Sequence, residues 1–559
     1  MIISRLASTV LFLFLTACGS HAVKPNAQAV ASAHPSATQA GMEILNQGGN
    51  AFDAAIAVSA ALAVVEPFGS GLGGGGFWLL HESKSNRQIM LDGREVAPLA
   101  AHRDMYLDDA GNIIKQASVD GALAAGIPGL PAALVHLSEG YGQLPLSLSL
   151  QPAIKLAEEG FLVNEHYRRL ALFREPVLLS SKSARKIFLV DGKAPTVGAL
   201  IKQPDLAATL TSLANKGFDG FYKGDVAKRL VDGVQKAGGI WTQQDLASYV
   251  IKERQPVVID YKGMRVVSTS LPSSGGLVLS IALNILEQYD LNSMSEVERT
   301  HVVVEAMRRA YRDRAIYMGD SDFVDVPTDQ LTSKPYAHKL SKHLNLEQAT
   351  SSRHVSGLNS SEGHDTTHFS IMDKEGNRVA ATLSINYPFG SGFVPEGTGV
   401  LLNDEMDDFS IKPGTPNVYG LVGGEANAIE PKKRMLSSMS PTFIETKNRV
   451  SLLGTPGGSR IISMVLLSVL DADKGNDPAS WVRLPRYHHQ YLPDVIQHEP
   501  HAFSERLMKK LKKKGHILKS VGRDYGNMHV IMWDKKSNKL TAGSDPRGSG
   551  SAEVVGINK

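Results

Sequence analysis

The chain has 559 residues, of which 42% are hydrophobic and 21% are charged, and its formal net charge is +3. This is the composition of an ordinary globular protein that can bury a large core, with about three or four domains' worth of residues. A net charge this small for the length argues against a strongly basic surface of the kind that binds nucleic acid, so we expect no nucleic-acid partner.

The chain begins with a segment typical of bacterial export. Its first letters are MIISRLASTVLFLFLTACGS, in which one arginine precedes an apolar run that ends shortly before Cys18. The run is too short to span a membrane and fits the core of a signal peptide. The letters LTAC resemble a lipobox, in which the cysteine is lipidated and becomes the mature N-terminus. We therefore predict a signal peptide over residues 1–17 and a lipidated tether over residues 18–28.

Cys18 also bears on the compartment. It is the only cysteine of the sequence, so no disulfide can form within one chain. Gly19 follows it where an aspartate would be expected in a protein kept at the inner membrane, and this resembles lipoproteins sent to the outer membrane. The prediction is a periplasmic or cell-envelope lipoprotein, anchored in the outer membrane through its lipid alone. The alternative is an ordinary signal peptide with an incidental cysteine.

The first part of the chain is predicted to be rich in helices. The alanine-rich stretch from Ala51 to Val65 predicts a buried helix, because it follows the helix-stop letters QGGN and ends at Glu66-Pro67. The letters GSGLGGGGFWLL come next; they lack the lysine of a phosphate-binding loop and favour close backbone packing near a site. Two more helices are predicted in SLPSSGGLVLSIALNILEQYD and VERTHVVVEAMRRAYRDRAIYMGD.

A polar, serine-rich linker is predicted from about residue 340 to residue 365. After it, THFSIMD alternates, DKEGN turns and RVAATLSINYPFGSG alternates again, which predicts a β-hairpin. The letters VSLLGTPGGSRI then predict a strand, a glycine turn and a helix. RLMKKLKKKGH is typical of a solvated helix face, with a weak membrane-surface contact as the alternative. Helices together with antiparallel hairpins indicate a layered α/β fold.

Thr366 stands where the linker ends and the hairpin begins. A threonine hydroxyl is a weak nucleophile until a base takes its proton, and a free α-amine, with a pKa of about 7.7 to 8.0, can be that base. A chain cut before Thr366 would hold both groups in one residue. Strand alternation brings Ser384 near Thr366 across the hairpin and directs Asn386 into the same cleft. An uncut hairpin with surface hydroxyls explains the spacing equally well.

Nine motifs resemble those of a single family. TTHFSIMDKEGNRVAATLSINYPFGSG, GVLLNDEMDDFS, PNVYGLVGGEANAI, LSSMSPT, GTPGGSRI and PRYHHQYLPD are similar to motifs of the γ-glutamyltransferases (glutathione hydrolases), and so are GSGLGGGGF, LDGREVAP and PSSGGLVLSIALNILE. The resemblance covers nearly everything after the tether. It implies the fold of the N-terminal-nucleophile hydrolases, a four-layer αββα sandwich with two antiparallel sheets between helical layers.

The resemblance implies a proenzyme that cuts itself between Asp365 and Thr366. The products would be a large subunit of residues 29–365 and a small, catalytic subunit of residues 366–559, interwoven in one compact fold as a heterodimer. Thr366 would attack the γ-glutamyl amide of glutathione or a related compound. Water, an acceptor amino acid or a peptide would then resolve the γ-glutamyl ester. The resemblance implies no metal and no organic cofactor.

The resemblance also assigns residues to the substrate. Arg94 of DGREVAP would bind the α-carboxylate of the γ-glutamyl group, because a planar guanidinium suits a bidentate contact, and Ser437 and Ser438 would assist it. The α-ammonium would be held by Asn386, Glu405 and Asp408.

The glycine turn and one loop complete the implied site. Gly457 and Gly458 resemble the oxyanion-hole glycines, whose backbone N–H groups bind the developing negative oxygen. Tyr419 of NVYGLVGG resembles a residue of the lid loop that covers the pocket, with an ordinary surface tyrosine as the alternative. Ser384 replaces the threonine of many members and keeps its hydroxyl. Glu405 stands where some bacterial members have glutamine, which bears on the balance of hydrolysis and transfer.

Two other functions use parts of the same pattern. A glutaryl (cephalosporin) acylase has the same scaffold and nucleophile, but residues that hold an α-ammonium are of no use to a glutaryl group. A non-catalytic peptide-binding lipoprotein would not need an intact nucleophile. His488 and His489 lack the ligand spacing of a metal site, so we interpret them as structural.

Overall fold

The computed structural model describes residues 23–352 and 366–556. The predicted signal peptide, Cys18 and Asp365 lie outside the described residues, so export, lipidation and the cut itself remain predictions. The first strand begins at Ala27, so the last two residues of the predicted tether already belong to the folded body. No helix in the described part of the chain is long and apolar enough to cross a membrane.

The described α-helices are spread over both sides of the linker. They are α1 (Pro35–Asn46), α2 (Ala51–Val65), α3 (Leu130–Gly140), α4 (Leu146–Glu159), α5 (Glu165–Ser180), α6 (Lys182–Phe188), α7 (Pro204–Lys216), α8 (Asp219–Tyr222), α9 (Gly224–Lys236), α10 (Gln243–Ala247), α11 (Gly275–Leu286), α12 (Glu296–Tyr317), α13 (Thr328–Leu331), α14 (Lys334–Ser341), α15 (Ile461–Ala472), α16 (Pro478–Trp481) and α17 (Glu505–Lys513). Short 3₁₀ helices cover Ala122–Ala124, Glu405–Asp408, Glu425–Asn427 and Gly458–Arg460.

The described strands concentrate around residues 250–270 and in the part after the linker. They are β1 (Ala27–Ser32), β2 (Gly75–Glu82), β3 (Arg87–Gly93), β4 (Phe161–Leu162), β5 (Leu200–Ile201), β6 (Lys252–Arg254), β7 (Val257–Tyr261), β8 (Met264–Ser268), β9 (Thr367–Met372), β10 (Arg378–Ser384), β11 (Thr442–Glu445), β12 (Arg449–Gly454), β13 (Tyr487–His488), β14 (Ile496–His498), β15 (Leu518–Ser520), β16 (His529–Asp534), β17 (Lys539–Ser544) and β18 (Ser551–Gly556).

Two antiparallel sheets form the centre of the molecule. One has the order β18-β1-β9-β10-β2-β3-β6 and the other β17-β16-β12-β11-β8-β7. Side chains such as Leu79, Phe443 and Ile531 pack between the two sheets. Their strand neighbours face outward because alternate residues of a strand point to opposite faces; Trp78, for example, packs under the helices of the first part of the chain. Helices α11, α12 and α15 cover the other sheet. The predicted four-layer αββα sandwich is confirmed.

Each sheet contains strands from both sides of the linker. In the first sheet β9 and β10 lie between β1 and β2, and in the second β11 pairs with β8. The segment that begins at Thr366 is therefore held by hydrogen bonds to the segment before the linker. A cut between them would leave the two pieces joined by sheet pairing and by a shared core.

Helix α2 is packed on all sides, and its packing fixes the position of the residue that follows it. Asn50 and Asp53 form a capping box that starts the helix, and all of its residues are buried. A helix that is apolar all round packs on every side, here against α1, α4, β9 and β10. It ends at Val65 as predicted, and this places Glu66 beside the first residues of β9.

The glycines after α2 permit close backbone contact, as the sequence predicted. A Cβ on Gly74 would lie 2.2 Å from the carbonyl oxygen of Ser384, and one on Gly73 would lie 2.1 Å from that of Leu401. Real Cβ atoms are not found at such distances, so a larger residue at Gly74 would push the start of β2 away from the end of β10, and one at Gly73 would displace Leu401. These glycines therefore fix the position of Ser384.

Candidate active site

One pocket collects nearly all the residues that the sequence singled out. Its empty space is about 300 Å³ with the open mouth included. The predicted residues that line it are Arg94, Thr366, Ser384, Asn386, Glu405, Asp408, Tyr419, Ser437, Ser438 and Gly458. The first and the last of these residues, Arg94 and Gly458, are more than 340 positions apart in the sequence, and the two sheets bring them together.

Thr366 lies at the edge of this pocket, one residue before β9. In the β9–β10 hairpin Thr367 pairs with Leu383, so the next pair along the register is Thr366 and Ser384. Only 8% of the surface of Thr366 is exposed. The predicted approach of Ser384 to Thr366 is confirmed, and its cause is the hairpin register.

Asn386 reaches the pocket by a different route from the predicted one. Strand β10 ends at Ser384, and Asn386 has a φ of +72°, so strand alternation does not orient it. Its backbone N–H donates to Ser384 Oγ at 2.8 Å, and its side-chain Nδ2 donates to the carbonyl of Asp404 at 3.0 Å. A left-handed residue stabilised by these bonds therefore turns the amide toward the pocket.

Arg94 forms the charged centre of the pocket. Its guanidinium is 1% exposed and pairs with Glu405 Oε2 at 2.6 Å and with Asp408 Oδ2 at 2.7 Å. Its Nε also donates to the carbonyl of Met435 at 3.2 Å. The 3₁₀ turn Glu405–Asp408 directs both carboxylates at the Arg94 guanidinium, whereas the resemblance had assigned them to the substrate's α-ammonium. One buried cation therefore lies at short range from the carboxylates of Glu405 and Asp408, with Glu95 Oε2 at 3.5 Å.

Burial and neighbouring charges set the pKa values of Glu405 and Arg94. Desolvation raises the pKa of Glu405 to about 7, although Arg94 and a hydrogen bond with Ser384 pull it down. Burial alone would lower the pKa of Arg94, but the charges of Glu405, Glu95 and Asp408 raise it further. The guanidinium therefore stays charged, while Glu405 is close to gaining or losing a proton at neutral pH.

Ser437 and Ser438 line the same pocket, and a residue that the sequence did not indicate supports them. Arg314 of α12 donates from Nη2 to Ser438 Oγ at 3.3 Å and from Nε to Ser274 Oγ at 2.9 Å. Ser274 in turn donates to the carbonyl of Ser437 at 2.7 Å. Arg314 lies in a long helix with no motif around it, so the only signal in the sequence was an arginine on a buried helix face.

The glycine turn adopts backbone conformations that require glycine. Gly457 has a φ of +143° and Gly458 a φ of +54°, and a Cβ on Gly458 would lie 2.6 Å from the ring of Tyr419. Gly458 lines the pocket, while Gly457 stands at the start of the 3₁₀ turn. Tyr419 is 8% exposed, and its hydroxyl donates to the carbonyl of Asn386 at 2.6 Å. It covers the glycine turn and is not a surface tyrosine.

Glu66 is a second residue that sequence reasoning missed. It accepts a hydrogen bond from Thr367 Oγ1 at 2.8 Å, and burial raises its pKa to about 7. Thr367 therefore anchors the start of β9 to the end of α2. The sequence showed Glu66 only as the residue that ends a helix.

Histidines outside the pocket have structural partners. Among the described residues, His301, Glu305 and His516 place donor atoms close enough for a metal ion. His301 bonds His516 at 2.7 Å and the carbonyl of Asn345 at 2.8 Å, while Glu305 pairs with Arg309 at 2.5 Å. These donors are used within the protein, so we interpret the group as part of the core.

His488 and His489 have structural partners as well. His488 bonds Ser463 and Gln490, and His489 bonds Asp494 at 3.1 Å. Both are buried, and burial lowers their pKa values to about 3 and about 4. Neutral, hydrogen-bonded imidazoles of this kind fit the structural interpretation.

The fold is similar to those of solved structures of two named enzymes. The structure superposes on a cephalosporin acylase from Bacillus halodurans with a TM-score of 0.83 over 95% of this chain and 96% of the other, at 28% identity. It matches a Helicobacter pylori gamma-glutamyltranspeptidase chain with a TM-score of 0.56 at 42% identity, over 57% of this chain and 92% of that one. Two antiparallel sheets between helices, with a threonine at the start of a central strand, define an N-terminal-nucleophile hydrolase.

Sequence comparison narrows the class to one family. The gamma-glutamyltranspeptidase family profile matches residues 37–555. The glutathione hydrolase proenzyme of Escherichia coli K12 is 42% identical over 534 residues, which are 94% of this chain and 91% of that protein. The corresponding proenzyme of a Pseudomonas species is 44% identical over 492 residues, which are 87% and 85% of the two chains. The chain belongs to the γ-glutamyltranspeptidase family.

Proposed function

We propose that the protein is a self-processing glutathione hydrolase and γ-glutamyltransferase. The observation that carries the proposal is the pocket in which Thr366 and Ser384 lie beside Arg94, Glu405 and Asp408. A γ-glutamyl group carries an α-carboxylate and an α-ammonium at one end and the scissile carbonyl at the other. The buried guanidinium can pair with the α-carboxylate, and the two carboxylates can pair with the α-ammonium. Thr366 is then placed for the scissile carbonyl.

The chemistry follows from the positions of these residues. After the cut, the α-amine of Thr366 takes the proton of its own hydroxyl, and Thr366 Oγ1 attacks the γ-carbonyl. Backbone N–H groups at Gly457 and Gly458 bind the oxyanion. The amine returns the proton to the leaving nitrogen as the C–N bond breaks, which leaves a γ-glutamyl ester on Thr366. Water or an acceptor amine then attacks this ester and restores the hydroxyl.

The substrate residues act through charge. Arg94 binds the α-carboxylate with help from Ser437 and Ser438, whose positions Arg314 and Ser274 fix. The carboxylates of Glu405 and Asp408, with the amide of Asn386, bind the α-ammonium. Substrate binding therefore exchanges ion pairs within the protein for ion pairs to the zwitterion, and this makes recognition specific for a group with both charges.

A pair of anilides separates this function from the second candidate. The structural likeness to a cephalosporin acylase favours glutaryl transfer as the alternative, and a glutaryl group is a γ-glutamyl group without its ammonium. We expect kcat/KM for γ-glutamyl-p-nitroanilide to exceed that for glutaryl-p-nitroanilide by at least about 100-fold, since Glu405 and Asp408 would be left unpaired by the glutaryl group. Initial rates from released nitroaniline measure both.

The variant Asp408→Asn provides the matched control. It removes one ammonium partner and keeps the shape of the side chain, so it should lower the preference for the γ-glutamyl anilide. Turnover of the glutaryl compound alone by the wild-type protein would favour the acylase. Turnover of neither compound by a fully cut protein would favour a peptide-binding lipoprotein.

The pH dependence of donor binding should follow Glu405. Its pKa is raised from 4.5 to about 7, so below neutral pH it is protonated and cannot pair with an ammonium. We expect KM for the γ-glutamyl anilide to fall roughly tenfold as the pH rises from about 6 to about 8. The Glu405→Gln variant should lose this dependence of KM, while kcat should still follow the Thr366 α-amine. The same KM profile in both proteins would contradict the assignment.

The raised pKa of Glu405 also affects the stability of the fold, and this effect weakens as the pH rises. The folded protein holds the Glu405 proton more tightly than the unfolded chain does. The stabilisation from this group is therefore complete below about pH 4.5 and is lost as the pH rises through about 7. Donor binding should thus improve over the pH range in which this group's contribution to stability declines.

We also propose that the protein is a cell-envelope lipoprotein attached to the outer membrane through Cys18. The support is the export segment of residues 1–17 and the letters LTAC before Gly19. The lipid anchor would hold the enzyme where periplasmic γ-glutamyl compounds pass. Labelling cells with a fatty-acid analogue tests this, because Cys18→Ala should abolish the label on the protein, and an unlabelled wild type would contradict the anchor.

A further inference from the structure

A short helix near the C-terminus carries basic side chains that the proposed reaction does not use. Helix α17 packs through Leu507 and Leu511, one helical turn apart, against a core cluster that also contains Val304 and Phe503. This packing fixes which face of the helix is buried. The side chains of the opposite face are therefore directed to solvent.

The solvent-exposed side of this segment is strongly positive. We define its basic face as the exposed side chains of Arg506, Lys509, Lys512 and Lys513 in α17 and of Lys519 in β15, which begins five residues after the helix. Glu505 is the single acidic residue in the sequence of α17, so positive charge predominates.

The nearby acids are engaged with other groups. Lys514, which follows the helix, pairs with Glu347 at 3.4 Å. Ser295 donates to Glu298 at 2.7 Å, and this bond and the charge of Lys510 lower the pKa of that carboxyl. Among the described residues, no carboxylate lies within 4.0 Å of a charged nitrogen of the basic face. The C-terminal end of a helix is equivalent to about half a negative charge, which is too little to balance this face.

An exposed apolar side chain stands in the segment that joins α17 to β15. Ile517 comes between Lys513 and Lys519 in the sequence, and 56% of its surface is exposed. The preceding residue, His516, is buried and bonds His301 at 2.7 Å, which anchors the chain next to Ile517. Lysines beside an apolar side chain are the combination that binds a lipid surface, because the ammonium groups meet phosphates while the apolar group enters the acyl region.

We propose that the basic face, together with Ile517, docks the folded protein on a membrane surface that contains anionic phospholipids. Charge complementarity carries the proposal, since each basic side chain near an anionic surface strengthens binding by roughly fivefold. A lipid surface is favoured over nucleic acid because the first residues of the chain are typical of export. The inference does not depend on the proposed catalytic function.

Vesicle binding tests the basic face. Sedimentation measures the dissociation constants of the full chain for vesicles of phosphatidylcholine alone and of phosphatidylcholine mixed with phosphatidylglycerol. All proteins carry Cys18→Ala, so that no lipid is attached, and the apolar N-terminal segment is common to all of them. The otherwise unchanged chain should bind the mixed vesicles at least about tenfold more tightly, and this preference should disappear at high ionic strength.

Two matched variants separate the basic face from the overall charge. The face variant combines Lys509→Gln, Lys512→Gln, Lys513→Gln and Lys519→Gln. The control variant combines Lys155→Gln, Lys186→Gln, Lys216→Gln and Lys236→Gln, at exposed lysines of α4, α6, α7 and α9. The preference for mixed vesicles should fall to about twofold or less in the face variant and stay within about twofold of its original value in the control. Ile517→Ser should weaken binding to the mixed vesicles about threefold or more.

Three outcomes would overturn the docking face. One is equal binding of the otherwise unchanged chain to both kinds of vesicle, and another is an equal loss of preference in the face and control variants, which would show that net charge alone attracts the protein. The third is displacement from the mixed vesicles by a DNA duplex at the same concentration of phosphate groups, which would assign the face to nucleic acid. Nitroaniline release from the γ-glutamyl donor by the same preparations checks that the variants are folded, and its absence in every protein would overturn the proposed function alone.

Discussion

Replacing Thr366 by alanine is expected to leave the chain uncut and to lower the hydrolysis of γ-glutamyl-p-nitroanilide by at least about 10⁴-fold. The reason is that one residue supplies the nucleophile for self-cleavage, the nucleophile for hydrolysis and, once it is the N-terminus, the base. A denaturing gel and initial rates of nitroaniline release measure the two losses on the same preparation. Wild-type protein should give two bands and the variant one.

Two neighbouring changes serve as controls for Thr366→Ala. Thr366→Ser keeps the hydroxyl and should be cut and partly active. Thr367→Ser keeps the donor to Glu66 Oε2 and should be cut and active. An uncut Thr366→Ala chain that hydrolyses the anilide at the wild-type rate would show that the nucleophile is another residue.

The second large effect is expected at Arg94. Its guanidinium is buried between Glu405 and Asp408, so Arg94→Met leaves two buried carboxylates without their cation, a loss of about 3–5 kcal/mol. We expect kcat/KM for the γ-glutamyl anilide to fall by roughly 10²–10³-fold and the melting temperature to fall with it. Arg94→Lys should recover part of the stability but not the bidentate contact.

A substrate that lacks the α-carboxylate separates binding from folding at Arg94. 4-Aminobutyryl-p-nitroanilide has the ammonium and the scissile amide only, so Arg94→Lys should lose most of the wild-type preference for the γ-glutamyl compound over it. Arg103 provides the matched control, since its ion pair with Glu425 at 2.7 Å is exposed and worth less than about 1 kcal/mol. Arg103→Ala should keep both activity and preference, and a full retention of preference in Arg94→Lys would contradict the assignment of Arg94.

The sequence predicted the elements with strong local signals. Helix α2 begins after the Asn50 cap, and it ends at the predicted residue because Glu66-Pro67 follow Val65. The β9–β10 hairpin and the turn before α15 follow from alternation and from glycines. The resemblance to a family then gave the layers and the residues of the pocket. Alternation alone could not decide between a buried nucleophile and a surface hydroxyl, because both have the same period.

The residues that the sequence did not indicate act through contacts across the fold. Glu66 meets Thr367 across 301 positions, and Arg314 meets Ser438 across 124. No local pattern encodes such pairs, because a sheet register and helix packing create them. The place of Asn386 in the pocket was predicted, but for the wrong structural reason. A residue with a left-handed backbone conformation puts it there, and strand periodicity does not describe such a residue.

The central claim is that Thr366, as a new N-terminus, carries the γ-glutamyl group during the reaction. Mixing purified enzyme with a γ-glutamyl donor, quenching with acid and sequencing the peptides by mass spectrometry tests it most directly. We expect a fragment that begins at Thr366 and carries one γ-glutamyl group on that residue. A Ser384→Thr chain that is active should give the same labelled fragment. A γ-glutamyl group on another residue, or turnover by a chain that still contains the Asp365–Thr366 bond, would contradict it.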